Sequence, residues 1–111
     1  MLKTGTSGNI PSNVWNSIIS FQLQAGTYLV MWQCKMDAIK NDGDIIFGSR
    51  LRFGVNAYPE LRKYLSNQDN SISSFSWVEA TDETTVYIEF YQNTGYEAYV
   101  SFRRAFIFPI S

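Results

Sequence analysis

Apolar and polar residues alternate along most of this chain, and a period of two predicts β-strands rather than helices. From Val14 onward, Trp15, Ile19, Phe21 and Leu23 share one face, and Ala25–Gly26 in "QAGT" predicts a turn. The strand predicted over 27–36 sets Tyr28, Val30, Trp32, Cys34 and Met36 against Leu29, Met31, Gln33 and Lys35. "KNDGD" at 40–44 reads as a hairpin or short-loop signal. The strand over 45–56 then points Ile45, Phe47, Leu51, Phe53 and Val55 inward and Arg50 and Arg52 outward. The pattern breaks over 57–71, where Pro59, Leu61, Tyr64 and Leu65 suit one helical turn inside a long loop. Strands resume over 72–80, 85–92 and 99–110, separated by "TDET" and "NTGYE". About six or seven strands without an amphipathic helix predict an antiparallel all-β sandwich or barrel. Residues 1–13, rich in Gly, Ser, Thr and Asn, read as a polar leader or linker to an upstream stalk, with the domain proper over 14–111.

Three of these strands are apolar on both faces. In the last, Val100, Phe102, Arg104, Phe106, Phe108 and Ile110 oppose Tyr99, Ser101, Arg103, Ala105 and Ile107; in 85–92, Val86, Ile88 and Phe90 oppose Tyr87, Glu89 and Tyr91. A sandwich sheet needs one apolar face, so a second calls for cover by another subunit. The expectation is a closed homo-oligomer built through one inner sheet. Its interface would hold Leu29, Met31, Tyr87, Glu89, Tyr91, Tyr99, Arg103 and Ile107. An Arg104 aimed among Phe102, Phe106 and Phe108 would be costly. A bulge between Arg103 and Arg104, or pairing with Glu89 or Glu97, relieves it.

Charge excludes several partners. Nine Lys and Arg stand against ten Asp and Glu in 111 residues, with no basic block, which argues against nucleic acid and anionic membranes. No stretch has signal-peptide or membrane-span length, so synthesis in the cytoplasm, or excision from a longer chain, is expected. The single Cys34 lies in an apolar run and reads as a small buried hydrophobe. Without histidine, Ser-His-Asp and His-ligated metal sites are excluded. Asp42 with Asp44 and Asp82 with Glu83 read as turn residues, and "NDGD" lacks a full calcium ligand spacing. No catalytic residue, metal or cofactor is expected.

The order of features resembles a known superfamily. "FQLQAGTYLVMWQC" resembles the stretch that opens the complement globular-head and tumour-necrosis-factor jelly rolls, "ATDETTVYIEFYQNTG" their late loop and strand, and "YVSFRRAFIFPIS" their Phe-rich closing strand. The similarity covers roughly 20–110; the closing run departs from the pattern at Arg103 and Arg104. The resemblance implies a jelly-roll β-sandwich assembled as a homotrimer around its inner sheets. It also extends to head domains of bacteriophage tail fibres and baseplates. That implies a virion protein made in the host cytoplasm, joined to upstream stalk or baseplate proteins and adhering to bacterial cell-surface saccharide without catalysis or membrane insertion. The alternatives are a structural module that trimerises or caps a fibre, and a tumour-necrosis-factor-like protein ligand.

Saccharide binding needs an aromatic platform and planar polar groups. Tyr58, Glu60, Arg62, Tyr64, Asn67 and Asp69 in the 57–71 stretch offer these, and Tyr96 adds to them from the next turn. With simple alternation of strand direction, the turns at 24–26 and 93–97 and the 57–71 loop share the end opposite the C-terminus. Trp15, Trp32 and Trp77 are expected in the core.

Overall fold

The alternating segments form strands whose apolar faces meet. The computed structural model describes residues 2–3, 8–37, 46–54, 56–64 and 71–110, with backbone alone for 2–3, 56–64 and 101–102. The strands are β1 (Leu2–Lys3), β2 (Gly8–Ile10), β3 (Asn16–Leu23), β4 (Gly26–Met36), β5 (Ile46–Phe53), β6 (Asn56–Tyr64), β7 (Ser71–Ala80), β8 (Thr84–Gln92) and β9 (Ala98–Pro109). They make two antiparallel sheets, one in the order β1-β9-β4-β7 with β2 also on β9, the other β3-β8-β5-β6. The result is a β-sandwich. Among the described strands, β5–β6 is the one pair adjacent both in the sheet and in sequence. The links after β3, β4, β6, β7 and β8 each cross to the opposite sheet.

The core lies between the sheets. Val30, Trp32, Cys34 and Met36 of β4 face Phe47 and Leu51 of β5 and Val86, Ile88 and Phe90 of β8, all essentially without exposure. A buried side-chain contact ties the layers: the Trp32 indole Nε1–H donates to Ser49 Oγ at 3.0 Å, so neither buried group lacks a partner. Ile10, from the stretch read as leader, also enters the core as β2 pairs with the start of β9.

Two bulges decide which residues face inward. In β3 the pairing with β8 shifts between Ser17 and Ile19, and both Ile18 and Ile19 are buried. In β9, Lys35 partners Phe102 while Met36 partners Val100, leaving Ser101 as the extra residue. Ala98 and Val100 point inward before it, and Ala105 and Ile107 after it. The bulge therefore sits before the arginine pair, not within it. Arg104 aligns with outward-facing Gln33, so the costly burial expected for it does not arise.

Arg103 takes the inward position, in register with Cys34. It is half-buried and donates from Nε to Val100 O at 3.2 Å, from Nη1 to Ile18 O at 3.4 Å and from Nη2 to Gly8 O at 3.0 Å. Backbone carbonyls thus satisfy the charge, and partial burial lowers its pKa from the ordinary arginine value while Cys34 and Tyr99 act the other way. Burial also pushes the Cys34 thiol up to about 12, with the Arg103 charge opposing.

The segment expected as a loop with a helical turn contains β6 instead. Its backbone pairs with β5 from Ile46↔Tyr64 to Phe53↔Asn56, interrupted by an irregularity between Ser49 and Leu51 near Pro59. Pro59 is tolerated because β6 is the outermost strand of its sheet. The tight link from β5 uses Gly54 at φ 58°, a left-handed conformation that favours glycine.

Candidate functional site

The missed strand reverses part of the expected geometry. Gly26 pairs with Ala80, Tyr28 with Pro109 and Leu23 with Thr84, so the 24–25 turn lies at the same end as the C-terminus. The 93–97 turn lies at the opposite end, where Asn93 N–H donates to Ile46 O at 3.2 Å and Ile46 pairs with Tyr64. Of the proposed saccharide residues, Tyr64 and Tyr96 therefore share an end. Tyr58, Glu60 and Arg62 are strung along the backbone of β6 towards the other end; Asn67 and Asp69 lie outside the described residues, as do Asp42 and Asp44.

Tyr96 stands on a well-braced turn. The buried Gln92 donates from Nε2 to Tyr96 O at 2.7 Å and to Ile10 O at 3.2 Å, while its Oε1 accepts from Thr94 N–H and Oγ1–H, both at 2.7 Å. Gly95 at φ 86° completes the reversal and donates its N–H to Ser12 Oγ at 2.9 Å. These bonds hold Tyr96 at the tip with 67% of its surface exposed.

The apolar second faces resolve in two different ways. β4 and β9 share one sheet, but β8 belongs to the other, so the eight residues expected at one interface do not share a surface. Leu29, Met31 and Tyr99 face outward on the first sheet. Ile107 is fully buried in the protomer's own core, and Arg103 is held by internal carbonyls. Tyr87, Glu89 and Tyr91 lie on the outer face of the second sheet within a layer of arginine and aromatic groups. There Glu89, nearly buried, accepts from Arg50 Nε at 2.8 Å and from Arg52 Nε at 3.0 Å. The Arg50 guanidinium carbon lies over the Trp15 ring, 4.1 Å from its centre, that of Arg52 4.4 Å from the centre of the Tyr87 ring, and Trp15 meets Tyr91 at 5.4 Å. That face supplies its own cover.

The first sheet does not. Register aligns Trp77, Leu29 and Phe108 in one row across β7, β4 and β9, and Phe75, Met31 and Phe106 in the next. Phe75 and Trp77 are each 57% exposed, Met31 and Phe108 each 42%. A shallow depression of about 180 Å³ runs between Met31, Phe75 and Phe106. Polar residues follow beyond it, with Ser73, Gln33 and Arg104 forming the next row. Taking each of these four exposed side chains as about 150–250 Å², the open apolar area is about 300–500 Å², the size of the largest apolar patch on an ordinary monomer. Sequence reasoning named Leu29 and Met31 but missed Phe75, Trp77 and Phe108, since 72–80 was not among the strands read as apolar on both faces and the bulge expected in the last strand was placed at the arginine pair rather than at Ser101. Trp77, expected in the core, belongs to this face; Trp32 is the tryptophan the core contains.

A scan against protein-family models finds no match for this sequence, and a search of curated proteins finds none either.

Proposed function

We propose that this chain is a non-catalytic recognition head, a jelly roll that assembles as a homotrimer through the outer face of the β9-β4-β7 region. On this reading it binds cell-surface saccharide at the tip of a phage tail fibre or baseplate. The observation that carries the reading is the aromatic outer face, two aligned rows on three adjacent strands, since the largest apolar patch on a protein often serves a function. The strand order supports the jelly-roll part. Successive links wrap from sheet to sheet, and the first strands close beside the last, as Greek-key wrapping requires. The resemblance of the opening, late and closing passages to trimeric jelly rolls supports three copies rather than two.

Recognition then falls to the end away from the C-terminus, where Tyr96 and Tyr64 lie. Trimerisation would strengthen weak sugar contacts by presenting three sites together. Light scattering during size exclusion tests the assembly: a mass near three times 12.7 kDa is expected, and a clean monomer would overturn the proposal. Glycan capture with Tyr64→Ala and Tyr96→Ala variants tests recognition. Loss of binding by an intact trimer supports it; tolerance of both, together with Tyr58, Arg62 and Asp69 replacements, would leave a capping module.

A further inference from the structure

On the outer face of the second sheet, two arginines share one carboxylate among the described side chains. Arg50 and Arg52 flank one carboxylate, Glu89, and no other ion pair reaches them among the described residues. Among the described side chains, two guanidinium groups face one carboxylate, and the arginines repel one another in a site where Glu89 is nearly dry.

The orientation matters as much as the charge. Both arginines spend Nε on Glu89 and place the guanidinium carbon over a ring, Arg50 over Trp15 and Arg52 over Tyr87. Arg52 Nη1 makes a long 3.4 Å bond to Gly54 O. The Nη groups of Arg50 and Nη2 of Arg52 have no partner among the described residues. Their side chains retain 21% and 33% exposure, so these donors are preorganised yet open to solvent. Fixed planar donors of this kind suit carboxylate and phosphate oxygens.

We infer that this face binds the acidic group, carboxylate or phosphate ester, of an anionic saccharide; the saccharide part rests on the recognition function proposed above. The site lies on the opposite side of the sandwich from the aromatic assembly face, so trimerisation leaves it accessible.

Binding of the intact protein to oligogalacturonate, poly(glycerol phosphate), neutral dextran and inorganic polyphosphate tests this, at low and moderate salt. The Arg50→Lys/Arg52→Lys double variant keeps the charge facing Glu89 but removes the planar donor forks. Binding to either acidic glycan that falls at least about tenfold in the variant, with unchanged mass and melting, is the expected result. The polymer that binds distinguishes carboxylate from phosphate. Neutral-glycan binding that the variant leaves intact, without acidic preference, would overturn the inference while sparing saccharide recognition. Polyphosphate binding lost in the variant, without glycan binding, would uphold the anion site and remove the saccharide reading. No binding to any anion would overturn the site. If the double variant misfolds, phosphate titration of wild type followed through the arginine Nε–H resonances gives the same decision: shifts at Arg50 and Arg52 uphold the site, and their absence refutes it.

Discussion

Replacing Phe75 with Glu is expected to separate assembly from folding. Phe75 is 57% exposed and sits beside Met31 in the aromatic face, so its loss removes little from the core. With about 150–250 Å² for an aromatic side chain, some 85–140 Å² is open on each protomer. Covering that area is worth about 2–3.5 kcal/mol at 25 cal/mol per Å². In the proposed trimer, three copies bring this to about 6–10 kcal/mol before association costs, and the carboxylate adds a desolvation penalty at the same place. Because the midpoint concentration varies as the square root of the trimer constant, it should rise by about two to four orders of magnitude. Sedimentation velocity over a concentration series reads the shift, and circular dichroism confirms that the monomer is folded. A variant that stays trimeric at the wild-type midpoint would refute the assignment of this face. An unfolded variant would show that Phe75 supports the protomer instead.

Ser49→Ala should cost about 1–3 kcal/mol in denaturant unfolding, because it strips the buried Trp32 indole N–H of its acceptor; combining it with Trp32→Phe should cost less than the sum of the two single changes. Cys34 should resist thiol reagents in the native protein. Its raised pKa stabilises the fold fully below about pH 9, the ordinary thiol value, and that contribution is lost as pH rises towards 12; the resulting decline, up to about 1.4 kcal/mol per pH unit, should be missing in Cys34→Ala when the two unfolding profiles are subtracted. Deleting Ser101 should preserve the fold, since Val100, Arg103, Ala105 and Ile107 keep their inward side once the bulge is gone. Inserting one residue after Arg103 should destabilise it by several kcal/mol by turning Ala105 and Ile107 outward, roughly 1.5–3 kcal/mol for Ile107 alone; thermal melts distinguish the two.

The sequence by itself determined that this chain is built of strands, and it identified much of what the strands bury. Alternation is a property of each strand alone, so Val30, Trp32, Cys34 and Met36 could be assigned to one face without knowing any neighbour. The turn at 93–97 was legible for the same local reason, in Gly95 and its polar neighbours. What period two cannot carry is which strands meet. Tyr87 and Met31 both sit opposite apolar faces, yet one lies under an arginine on the second sheet and the other stands 42% exposed on the first. Only long-range pairing made that distinction. The bulge at Ser101 was equally hidden, because one unpaired residue reverses every later side chain without changing composition, and Arg103 rather than Arg104 turned inward as a result. β6 escaped because Pro59 disguised an outermost strand as a loop, and the missed strand reversed the direction of all those after it. Tertiary structure decided the exposed aromatic face and the paired arginines, since each gathers side chains from strands distant in sequence and close only across a sheet.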